Sequence, residues 1–208
     1  MQTKMLNLHS LRQRLKSINF NWMLMLLIGL FFIGLIFGCF VVKRGNNLIS
    51  DKITEYYSLY LLNKNSYNMS MVFMNSFFMS ATTVIISFFT GLCALGIPFV
   101  VCIPLVSGGI IGMVSGFLYE TYLLKGLGYC TIIIFPAAAI TLVALISACR
   151  ESLLMSKNML SILATGRNQQ QNRFRSYCIK HLLYTALCAF AALIEAVLFN
   201  LFSNLFDF

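Results

Sequence analysis

Between Asn65 and Tyr119 the chain carries no Asp, Glu, Lys or Arg in 55 consecutive residues, and no other feature limits its fold as tightly. A soluble domain charges about a quarter of its residues, whereas this chain of 208 residues charges 10% and is 59% hydrophobic. So few charges could not cover so much Leu, Ile, Phe and Met in water. Lipid is therefore the solvent for most of the molecule. A charge near the bilayer centre costs about 3 kcal/mol or more, so the gaps between ionisable residues mark the spans.

The first gap, 21–42, has the ~20 residues a crossing helix needs. Lys43 and Arg44 follow it directly and no small-residue cleavage site intervenes, which argues for a retained span over a signal peptide. The stretch 65–119 is long enough for two helices. Its break is expected from Thr90-Gly91 to Gly96-Ile97-Pro98, because Gly closes helices and Pro suits the first turn of the next. That gives spans at 71–91 and 97–119, crossing fully or forming a re-entrant pair. A fourth span, 127–149, contains Pro136 as an expected kink, and a fifth, 182–205, contains Glu195. The expected fold is all-α, a polytopic membrane bundle of about five helices. It forms one transmembrane domain, 21–205, after a basic tail, 1–20, with an outer loop at 43–70 and a basic inner loop at 150–181.

Orientation follows from Lys and Arg in the short loops. The tail holds Lys4, Arg12, Arg14 and Lys16, and the 150–181 loop holds Arg150, Lys157, Arg167, Arg173, Arg175 and Lys180. Lys43, Arg44, Lys52, Lys64 and Lys125 lie on the other face, a ratio of ten to five. The N-terminus is expected in the cytoplasm and the C-terminus outside. The net charge of +9 thus reads as orientation, and no nucleic-acid partner is expected.

Two segments outside the spans have a pattern. Ser50 and Asp51 can cap a short helix whose Ile49, Ile53, Tyr56, Tyr57 and Tyr60 share a face, as in a helix lying in the interface or docking on a partner. Leu153, Leu154, Leu160 and Leu163 extend the fourth span towards Gly166. The arginines of the polar run after it face anionic headgroups or a protein partner.

Intramembrane catalysis needs particular side chains at depth. His9 and His181 fall in the tail and at a span edge, where neither serves a buried Ser and His pair. No HExxH is present, and Asp51 and Asp207 lie outside the spans, which excludes a two-aspartate protease. No P-loop occurs. The seven cysteines form no C-x-x-C pair and read as small apolar side chains, without metal or disulfide. An enzyme is not expected, nor a cofactor.

What remains is packing chemistry. Gly108, Gly112 and Gly116 share one face of span three, and Gly34 and Gly38 do the same in span one. Such stripes let helices approach closely in lipid, within the bundle or against a partner or second copy. Glu195 is the one ionisable group inside a span, so it protonates, pairs or faces a polar cavity. Asn75, Thr82, Thr83, Ser87 and Thr141 are its candidate partners. As a near-midplane acid it fits either a structural hydrogen bond or the ion path of a transporter or permease subunit.

In order along the chain, these features resemble the stage II sporulation protein M family. The resemblance rests on FFIGLIFGCFVV at the end of span one and on Asn75 at the start of span two. It continues through GLCALGIPFVVCIPLVSGGIIGMVSGFL with Pro98, Pro136 in span four, and Ala192-Leu193-Ile194-Glu195-Ala196 in the last span. Two departures stand out. Pro136-Ala137-Ala138-Ala139 replaces the Pro-His-Gly of many broader relatives, and Asn200 stands near where a proline often follows the acid. The resemblance implies a cell-membrane protein of forespore engulfment, in the mother-cell membrane. Its implied role is a scaffold that recruits the peptidoglycan hydrolases stage II sporulation proteins D and P.

Overall fold

The computed structural model describes residues 2–44, 69–165 and 171–202, with side chains over 22–44, 69–162 and 173–202. Helices α1 (Gln2–Arg44), α2 (Met69–Leu92), α3 (Ile97–Tyr129), α4 (Phe135–Thr165) and α5 (Gln171–Phe202) account for nearly all of it, and no strand occurs among the described residues. Four helical segments are long and apolar enough to cross a bilayer: Trp22–Arg44, Met69–Leu92, Ile97–Ile162 and Arg173–Phe202. The outer-loop pattern at 49–60, the side chains of the tail, Arg167 and Asp207 lie outside the described residues.

Ile97–Ile162 has 66 residues and would be about 99 Å long if straight, roughly three times the hydrocarbon core. It folds back instead. Leu123 adopts φ 51° and ψ −124° and breaks α3 there. Val100 near the start of α3 shares a core cluster with Leu145, Ile146, Cys149 and Leu153 of α4, and Leu118 near the break shares another with Tyr129 and Ile133. The segment is thus a helical hairpin with antiparallel arms. The kink expected at Pro136 is prepared just upstream. Over Cys130–Ile134 the helix widens by one residue, so that the Phe135 N–H reaches the Cys130 carbonyl. A proline has no N–H to continue the ladder, and such a bulge is a usual way for a helix to absorb the break.

The break between the second and third helices falls where Gly and Pro place it. α2 ends at Leu92, and Pro98 sits in the first turn of α3. The turn is tight. Cys93 N–H donates to the Thr90 carbonyl at 3.2 Å and Gly96 N–H to the Cys93 carbonyl at 3.0 Å. A Cβ on Gly96 would strike the Thr90 carbonyl oxygen. Ser156 of α4 donates from its hydroxyl to the same Cys93 carbonyl at 2.8 Å, a second bond that ties α4 to the turn.

Cross-packing gives the relative directions. Gly34 meets Leu105 and Gly38 meets Gly109, so α1 and α3 run parallel. Val72 clusters with Phe199, and Phe88 stacks on Tyr177, so α2 and α5 run antiparallel. Two extents differ from expectation. The segment expected as a basic loop, 150–181, is helical again from 171, beyond an α4 that reaches Thr165 as the leucine spacing predicts, and the expected tail is continuous with the first helix from Gln2. Leucines at helical spacing and good helix formers carry both helices past the lipid boundary, because propensity does not stop where hydrophobicity does.

Candidate functional site

Two arrangements in the bundle go beyond ordinary packing. The first is a seam between α1 and α3. A Cβ on Gly34 would run into the Leu105 carbonyl oxygen, one on Gly38 into that of Gly109, one on Gly108 into that of Phe31, and one on Gly112 into that of Leu35. Gly116 is looser, its would-be Cβ 3.2 Å from the Cys39 Cα. The two stripes named from the sequence therefore meet each other, each glycine under a carbonyl or Cα of the opposite helix. In lipid this closeness supplies the dispersion contact that hydrophobicity cannot. Cys39 adds a hydrogen bond across the seam, its thiol donating to the Gly112 carbonyl at 3.2 Å.

The second arrangement joins α2, α4 and α5. The Tyr177 hydroxyl donates to the Phe88 carbonyl at 2.9 Å and lies 3.0 Å from the Ser152 hydroxyl. Ser152 lies 3.2 Å from His181 Nε2, and His181 Nδ1 is 3.2 Å from the Tyr177 carbonyl. Phe88 covers the group, stacked on Tyr177 at 5.1 Å and edge-on to His181 at 5.3 Å. Gly91 lets α2 come this close, since a Cβ there would press on the Tyr177 hydroxyl and on Ser152. At the rim Lys180 pairs with Glu151 at 2.9 Å.

This corrects the placing of His181 at an unburied edge. Both His181 and Ser152 are buried, and they face each other. Sequence distance hid the pair, which are 29 residues apart on two helices. The signal available was helical spacing, since Tyr177, His181 and Tyr184 share a face of α5 and Ser152 and Ser156 a face of α4. A nucleophilic serine must be reached by its substrate. Ser152 has no exposed surface, so in this arrangement the hydroxyl ties helices together.

Glu195 lies partly buried on α5, and the hydroxyl it meets is Ser76 of α2. The hydroxyls expected there are used otherwise. Thr82 donates to the Phe78 carbonyl at 2.6 Å, Thr83 to Ser80 at 2.8 Å, Ser87 to Val84 at 2.8 Å and Thr141 to Ala138 at 3.0 Å, each within its own helix. Ser and Thr commonly back-bond in this way. Asn75 is next to Ser76 and half-buried, Pro98 is exposed at the head of α3, and Pro136 is half-buried after the widened turn. The seven cysteines are free thiols. Among the described residues, no group of three His, Cys, Asp or Glu could hold a metal ion.

Comparison with curated proteins and with solved structures gives no match. The family model described as stage II sporulation protein M matches residues 27–198, from the buried part of α1 through Glu195 on α5. It spans both the glycine seam and the Ser152, Tyr177 and His181 cluster. With most of its length matched and an all-helical bundle rich in membrane-crossing segments, the chain belongs to the stage II sporulation protein M family.

Proposed function

We propose that the protein is a non-catalytic membrane scaffold that crosses the bilayer five times, with its N-terminus in the cytoplasm and its C-terminus outside. In this reading it holds peptidoglycan hydrolases of the stage II sporulation D and P kind at the mother-cell membrane during engulfment. The observation that carries the proposal is the family match over residues 27–198 on a bundle whose buried polar residues, Ser87, Ser152, Ser156 and His181, bond neighbouring side chains or backbone carbonyls. Such an interior suits holding a shape better than turning over a substrate. The five crossings are supported by the hairpin at Leu123 and by helix directions that alternate along the chain. The orientation is supported by the ten-to-five basic asymmetry.

The test is affinity capture of the tagged full-length protein in mild detergent from sporulating cells. Co-purification of peptidoglycan hydrolases is expected. Their absence, together with capture of an ATPase subunit, would favour the second reading, a transporter or permease component. That reading draws on Glu195 facing Ser76 between α5 and α2. It is the weaker one because the other described carboxylates sit elsewhere, Glu151 paired with Lys180 and Glu120 exposed beside the hairpin turn.

A further inference from the structure

α1 runs past the lipid boundary without a break. It is one helix from Gln2 to Arg44, and no Gly or Pro between Gln2 and Trp22 bends it. The part before Trp22 therefore reaches about 30 Å beyond the bilayer. Along it Leu8, Leu11, Leu15 and Ile18 recur by alternating steps of three and four residues, and Trp22 and Met25 continue the steps. On a helix these six fall within about 100° of arc, the seam pattern of a coiled coil. The series stops at Lys4, where the next step would fall.

Trp22 and Met25 show which way the seam faces. Both are 71% exposed, whereas Leu27, Gly34 and Gly38, on the opposite side of α1, meet α3 and α4. The protomer thus turns its own contacts to one side of α1 and leaves the seam on the other. Beyond Met25 lipid covers that side. Before Trp22 it stands in water, where an apolar stripe on a free helix needs a partner.

We propose that α1 pairs in parallel with α1 of a second copy along Leu8, Leu11, Leu15 and Ile18, as far as Trp22. Both copies hold α1 upright in one membrane and in the same direction, so parallel pairing is the one available, and confinement lets a short seam hold. Charge agrees. In a parallel pair a residue on one flank of the seam meets a flank residue of the next heptad in the other copy, so Asn7 meets Arg12 and Arg14 meets Asn19. At these positions no cation is set against a cation, and an acidic partner would find asparagine at half of them. The result is a two-fold dimer with the bundles on either side of a central coil, and it does not depend on which partner the scaffold holds.

The test is disulfide formation in membranes from cells that make two differently tagged full-length copies. Leu11→Cys and Leu15→Cys each put a thiol on the seam, and Gln13→Cys puts one on the far side of the helix. The seven native thiols are subtracted as the wild-type background. With copper phenanthroline as oxidant, each seam variant should give at least about tenfold more mixed-tag dimer than Gln13→Cys, because the bond needs Cβ atoms about 4 Å apart. Equal yields from the three variants overturn the proposal, and so does a seam adduct to any protein other than the second copy. Seam yields no higher than the wild-type background also overturn it, the result expected of a helix that lies on lipid.

Discussion

The α1–α3 pair and the α2–α4–α5 group solve the same problem by opposite means. Both must hold helices together in a solvent as apolar as their own side chains. The α1–α3 seam removes side chains, so that carbonyls of one helix lie over glycines of the other. The other group keeps its side chains and makes them polar, tying three helices through Ser152, Tyr177, His181 and the Phe88 carbonyl. The difference teaches where each half is fragile. A seam without side chains cannot yield to added bulk, because backbone is what it would hit. A polar cluster tolerates small changes of volume but not the loss of a donor.

The strongest way to break the comparison is Gly112→Ile. Its added atoms meet the backbone of Leu35, so the helices must separate, at a cost of about 3 kcal/mol, the upper end for overpacking. Gly29→Ile is the control, since a Cβ at Gly29 meets nothing within 4 Å. Thermal unfolding in detergent should show a large loss for Gly112→Ile and almost none for Gly29→Ile. Equal losses would mean that the seam is not the contact that matters.

Tyr177→Phe comes next. It keeps the stack on Phe88 but removes the donor to the Phe88 carbonyl and the neighbour of Ser152, leaving buried groups unmatched. A loss of about 1.5 kcal/mol is expected, towards the top of the range for hydrogen bonds in membranes. Chemical denaturation of the detergent-solubilised protein measures it. An unchanged midpoint would show that water or another group takes over the bond.

Leu123 offers an effect of the opposite sign. It is the only described non-glycine residue with positive φ, a conformation costing a side-chain-bearing residue about 1–3 kcal/mol and glycine little. Leu123→Gly should therefore raise the unfolding temperature, with a gain of about 1 kcal/mol after the entropy glycine adds to the unfolded chain. A fall would argue that the turn relaxes to another geometry.

The smallest effect is expected from Glu195→Gln, which keeps the shape and a hydrogen bond to Ser76. Glu195→Leu should cost roughly 1 kcal/mol by stranding that hydroxyl. Engulfment assayed at matched protein levels separates the readings. A silent Gln variant fits a structural acid, and abolished function in both variants would promote the ion path.

Much of this was legible in the residues. The uncharged runs marked the helices, the Gly-Ile-Pro sequence marked the turn at 93–96, and the glycine stripes marked the faces for close approach. The ordered motifs also pointed to the family that the match over 27–198 establishes. What could not be read was which faces meet. Helical spacing lists the residues of a stripe but not the rotation of its helix against four others. Thr82, Thr83, Ser87 and Thr141 were therefore as plausible beside Glu195 as Ser76, until their own-helix bonds excluded them. His181 reads as an edge residue because it follows Lys180, just where the last uncharged run begins. Its cover comes from Phe88 and Ser152, far along the chain.

The residues alone set the solvent, the helical class and the turn between α2 and α3. Those follow from local quantities: hydropathy, missing charges, and the backbone demands of Gly and Pro. It took the packed bundle to show that α1 seats on α3, that His181 is buried against Ser152, and that the helix widens before Pro136. These depend on contacts between residues tens of positions apart, each worth little alone. The arrangement that satisfies most of them together is a property of the whole bundle.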